Sequence, residues 1–141
     1  MVLKPLLAIL ILVFASLPAA ASPCTEEDWE YAKFWDNYYE PEEAYAFGAA
    51  LQRLVTARDV AGLYALAEAE MANGPARARA LISEFSDLFS DEWRDLVLAE
   101  APRCSPVGWR GFMLGRGMIW YDMTDAGWRI TALNRWKAMA E

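Results

Sequence analysis

The chain contains no histidine, so chemistry must come from its carboxylates, tyrosines, arginines and two cysteines. That absence removes every Ser–His or Cys–His nucleophile and most zinc sites in their usual form. Tyr121 and Asp122 stand side by side near the end of a strand-like run and would form an acid/base pair if a pocket opened beside them. The alternative for Asp122 is a turn residue that bonds backbone amides. Asp87, Asp91 and Asp95 recur every four residues, a spacing that aligns them only on one continuous helix. Ser90 interrupts that helix as an N-cap, which leaves the three as ordinary acids at helix starts. No metal site is expected there. Gly111-x-x-x-Gly115-x-Gly117 lies between strand-like runs and not ahead of a helix, so it is a turn pattern and not a phosphate cradle. No cofactor is implied.

Binding is the better-supported chemistry. Six aromatic residues lie within eleven positions, from Trp29 to Tyr39. The spacing is read as one helix over this run, which can bury only one side. Trp29, Trp35, Tyr38 and Tyr39 are the candidate binding residues. The alternative is that these rings seal the open end of the core. Glu30, Asp36, Glu40, Glu42 and Glu43 surround them. Aromatic faces edged by carboxylates suit a cationic or amphipathic partner, through cation–π contact and charge steering. A basic protein segment or a sugar polymer would fit. The net charge of −7 argues against nucleic acid and anionic membrane surfaces as partners. Two function classes follow. The first is a non-enzymatic exported binding domain. The second is a small acid/base enzyme using Asp122 and Tyr121 in a sheet-lined pocket.

Export is inferred from the N-terminus. Lys4 precedes an apolar run over residues 6–14, and Ala19-Ala20-Ala21 supplies a small-residue cleavage pattern. Residues 1–21 are read as a signal peptide and 22–141 as one exported α+β domain, periplasmic or secreted, with no stable membrane anchor after cleavage. Removal of Lys4 with the leader takes the net charge to −8. In an oxidising compartment Cys24 and Cys104 are most simply a disulfide.

The elements that must position these residues are helices followed by a meander. Thr25 caps the first helix, with acids in its first turn. Pro41 opens an amphipathic helix over residues 41–57, and Asp59 caps another that buries Leu63, Leu66, Ala67 and Met71 and stops at Asn73-Gly74-Pro75. A third pattern runs through Leu81, Phe85, Leu88 and Phe89. Ser90 caps a helix over residues 91–101. The fold class is thus α+β, with N-terminal helices packed on a C-terminal three-stranded antiparallel meander. Gly115-Arg116 is read as a two-residue hairpin loop, which pairs Met113 with Met118, Phe112 with Ile119 and Gly111 with Trp120. With Asp122 opposite Trp128, the core face collects Trp109, Met113, Met118, Trp120, Trp128, Ile130 and Ala132. The other face carries Arg110, Phe112, Ile119, Tyr121, Arg129 and Leu133. Trp120, packed over Gly111, is expected at the centre of the core.

The closing residues, Gly115-x-Gly117-x-Ile119-Trp120-Tyr121-Asp122 and then Gly127-Trp128-x-Ile130-x-Ala132-x-Asn134, resemble those of small exported bacterial proteins. More loosely, they are similar to the end of the nuclear-transport-factor-like, or ketosteroid-isomerase-like, superfamily. That resemblance implies N-terminal helices packed into a curved antiparallel sheet around a cone-shaped pocket. It carries no catalytic residue over to this chain.

Overall fold

The computed structural model describes residues 21–69, 71 and 74–135. The leader expected over residues 1–21 lies, except for Ala21, outside them, as does Asn73. Among the described residues, six helices of fully described extent precede a three-stranded antiparallel sheet, so the α+β class holds. The helices are α1 (Glu26–Ala32), α2 (Pro41–Thr56), α3 (Val60–Ala65), α4 (Pro75–Leu81), α5 (Phe85–Leu88) and α6 (Asp91–Leu98). The strands β1 (Phe112–Leu114), β2 (Ile119–Thr124) and β3 (Gly127–Leu133) follow in the order β1-β2-β3.

The caps are where local chemistry puts them. Thr25 and Asp28 form a reciprocal capping box at the start of α1. Pro41 begins α2, Asp59 accepts from the Gly62 amide, and Ser90 accepts from Trp93. Three helices end earlier than their apolar spacing suggests. The first stops at Ala32, because Asp36-Asn37 are poor helix formers and Pro41 holds Glu40 extended. The third stops at Ala65. Beyond it, Leu66 accepts from the Ile130 amide and Glu68 donates to the Ile130 carbonyl, which forms one parallel bridge at the sheet edge. The pattern from Leu81 to Phe89 divides into α4 and α5. On the short α5, Asp87 closes a capping box with Glu84.

The expected sheet register is corrected. Phe112 pairs with Tyr121, Met113 with Trp120 and Leu114 with Ile119, so the hairpin loop is residues 115–118. Gly115, Arg116 and Gly117 all have positive φ, and Met118 donates back to Leu114. Three successive left-handed residues cannot extend a strand, so the turn continues past Arg116. On the other side Met123 pairs with Trp128 and Tyr121 with Ile130, before a bulge that leaves Ile119 opposite Leu133. This moves Trp128 and Ile130 to the face of Tyr121.

That face is the buried one. Phe112, Leu114, Ile119, Tyr121 and Ile130 are in the core with Leu51, Val55, Trp93 and Val97 of the helices. Phe47 of α2 stacks on Trp128 and leans on Tyr121. Trp120, expected at the centre, is only half-buried on the outer face and lies over Gly117, not Gly111. Gly111 instead faces Asp122 and the Tyr121 carbonyl, where a Cβ would sit 2.9 Å from each. Trp109 is 84% exposed, because it occupies the tip of a turn closed by the Gly108–Gly111 bridge. The central indole is Trp93, which stacks on Phe89 at 4.1 Å and donates to the Asn134 carbonyl.

Gln52 joins α2 to α6 by donating to the carbonyls of Val97 and Glu100. Cys24 and Cys104 form a disulfide with Cα atoms 5.6 Å apart, which ties the start of α1 to the strand-leading segment. Such a bond belongs to an oxidising compartment. Among the described residues, no helix is long and apolar enough to cross a membrane.

Candidate functional site

The sequence between residues 26 and 43 carries eight carboxylates and one lysine, with the aromatic run in its middle. Its frame is fixed from both ends. At the α1 end, the disulfide is reinforced by Ser105, whose hydroxyl donates to Asp28 at 2.6 Å. The Trp29 indole donates to Glu42 at 3.3 Å, and Ser22 donates to the same carboxylate oxygen at 2.8 Å. These bonds lock α1 against the first turn of α2.

After Ala32 the chain leaves the helix and crosses to the sheet through residues 33–40. Three side chains anchor this crossing. Trp35 donates its indole N–H to Asp122 Oδ1 at 3.4 Å. Asn37 donates to the Met123 carbonyl at 3.1 Å. Tyr39 is buried and meets Phe112 and Trp128 edge-on, with centroids 5.1 and 6.0 Å away. The aromatic residues beside the anchors point to water. Phe34 is 84% exposed and Tyr38 is 62% exposed. Tyr31, also exposed, lies tilted beside Trp35 at 6.2 Å. The carboxylates of Glu30, Asp36, Glu40 and Glu43 are on exposed residues, and the one lysine, Lys33, is paired with Glu30 at 2.8 Å.

The four expected binding residues therefore have different fates. Tyr38 is on the surface. Trp29 and Trp35 are half-buried and hydrogen-bonded to acids, so each offers part of a ring. Tyr39 is a core residue and cannot touch a partner, because the crossing segment is not helical and turns this ring onto Phe112 and Trp128. Phe34 and Tyr31 are exposed instead. Both were visible in the aromatic run, but a single helix through Tyr39 puts the wrong rings outside.

Tyr121 and Asp122 are adjacent on β2 and leave it on opposite faces. The Tyr121 hydroxyl is buried beside Pro102 and Gly48 and has no hydrogen-bond partner among the described residues. Burial pushes its pKa up. Burial also raises the pKa of Asp122, against the bonds it accepts from the Met123 amide and Trp35. The two side chains diverge across the strand, and Asp122 is the acceptor that seats Trp35. Cys24, Asp28 and Cys104 lie together, but the disulfide occupies both sulfurs and the one carboxylate accepts from Ser105 and Thr25, so no metal-ligand set remains there. Asp87, Asp91 and Asp95 are exposed and divided between α5 and α6.

A second aromatic feature escaped the sequence reading. The guanidinium of Arg110 sits 5.1 Å from the Trp109 ring and 5.8 Å from the Trp120 ring, so it lies against both indoles at the outer face of the sheet. No family model, curated protein or solved structure matches the chain.

Proposed function

We propose that the protein is a periplasmic or secreted binding domain without catalytic function, and that it holds a basic, amphipathic protein segment on the surface formed by Tyr31, Phe34 and Tyr38. One observation carries the reading. Trp35, Asn37 and Tyr39 anchor the segment, yet Phe34 and Tyr38 beside them, and Tyr31 at the end of α1, stand in water. Exposed aromatic area held in one geometry costs little further entropy on binding. The eight carboxylates within residues 26–43 supply the complementary field for lysine and arginine. A cationic side chain can then stack on a ring while its charge meets Asp36 or Glu40.

The test is affinity for a synthetic lysine-rich amphipathic peptide, measured by calorimetry at two salt concentrations. Phe34→Ser with Tyr38→Ser should weaken binding at least tenfold and leave the fold intact, since neither ring is in the core. Affinity should also fall with salt, because the carboxylates steer the partner. Salt-independent binding of a neutral oligosaccharide on the same rings would assign the surface to a sugar polymer instead. An acid/base enzyme using Asp122 and Tyr121 is the weaker reading, because the two side chains diverge across the strand.

A further inference from the structure

A groove of about 270 Å³ lies between α3, α4, α5 and the end of β3, and it shares no residue with the aromatic surface. Its apolar lining is Leu88, Phe89 and Leu133, with Ala80 beside them. Two arginines, Arg79 and Arg135, line it as well. The chain has more acids than bases, yet neither arginine forms an ion pair among the described residues.

The backbone beneath each arginine is fixed. Ser83 donates its hydroxyl to the Arg79 carbonyl at 2.8 Å, which closes the turn after α4. Asn134, the neighbour of Arg135, is held three times. Its amide donates to the Met118 carbonyl, its side chain donates to the Gly117 carbonyl, and its own carbonyl accepts from Trp93. Two arginines on anchored backbone, lining one groove with apolar side chains, match a carboxylate joined to an apolar body. The planar fork binds both carboxylate oxygens, and the apolar tail leaves water against Phe89 and Leu133. The volume lies just under the roughly 300–1,000 Å³ of drug-sized sites, so the occupant is a small molecule.

We propose that this groove binds a small amphipathic monocarboxylate, its carboxylate between Arg79 and Arg135 and its apolar body against Leu88, Phe89 and Leu133. The test is calorimetric titration of the full, disulfide-bonded chain with octanoate, octanol and acetate. Octanoate should bind saturably at one site, and octanol and acetate should each bind at least tenfold more weakly. Arg79→Gln and Arg135→Gln should each weaken octanoate about tenfold, with unchanged circular dichroism, because both side chains are exposed. Arg79→Lys should recover part of the loss. Octanol binding as tightly as octanoate would overturn the proposal, as would octanoate binding unchanged in the double glutamine variant, or no saturable octanoate binding at all. The first comparison needs no variant, so it holds even if a substitution disturbs the fold.

Discussion

At Gly48, in the middle of α2, an added Cβ would lie 2.6 Å from both the Tyr121 hydroxyl and Pro102 Cβ. Helix propensity alone favours alanine over glycine by about 1 kcal/mol. Overpacking opposes it by about 1–3 kcal/mol, and Tyr121 and Pro102 are themselves packed, so neither can yield easily. Gly48→Ala should therefore destabilise the protein in chemical denaturation. The tryptophans rank by burial and not by ring size. Trp93→Ala should cost about 3–5 kcal/mol, since the indole is fully buried and bonded to Asn134. Trp120→Ala should cost about 1 kcal/mol, in proportion to an indole that is only half-buried. At Asp122 the folded pKa is raised by burial, so the folded protein binds a proton more readily than the unfolded chain. Stability from this group is then present at low pH and lost as pH rises from the unfolded value through the folded one. Asp122→Asn, which keeps an acceptor for Trp35 and the Met123 amide, should remove that loss. Denaturation midpoints of the variant should match or exceed wild type at pH 7 and lie closer together at pH 4.

Among the elements, α1 is short and depends on its ends. Burial pushes the Asp28 carboxyl up, but bonds from Ser105 and from the Thr25 amide and hydroxyl outweigh it and leave the pKa lowered. The resulting stability is present above the unfolded carboxylate range and is lost as pH falls through the lowered value. Thr25→Ala should cost about 1 kcal/mol by removing the cap, read as a lower denaturation midpoint. Such caps were legible because they rest on residues adjacent in the chain. Thr25, Asp59 and Ser90 each bond an amide three residues on, and proline at N1 marked α2. The sheet was legible as three strands but not in its register. Arg116 takes positive φ without being glycine, which lengthens the hairpin, and the bulge near Ile130 depends on pairing that no local pattern encodes. The buried face depended on which side α2 and α6 would cover. Phe112 with Tyr121 and Met113 with Trp120 are comparably apolar pairs, so alternation alone could not choose between them. At the candidate site the aromatic run and its acids were plain in the sequence. Which rings face out was not, because that follows from anchors on β2 some 86 or 87 residues away.

For the whole molecule, one covalent bond links the two ends of the helical region. The disulfide spans 80 residues, for which chain entropy gives about 4 kcal/mol of stabilisation. Intact mass should show the protein two hydrogens lighter than its reduced form. Reduction should lower the denaturation midpoint and loosen the aromatic segment, whose α1 end is held by Cys24 and Ser105. Charge is also divided along the sequence. Eight acids gather in residues 26–43, whereas residues 103–135 hold five arginines and two aspartates. The aromatic and acidic surface is tested most directly by amide chemical-shift mapping of the isotope-labelled protein during titration with a lysine-rich amphipathic peptide. The expected shifts fall on residues 30–43 and on Met123, and weaken together as salt is raised. Shifts centred on the Trp109–Arg110 turn, or none at saturating peptide, would contradict the assignment.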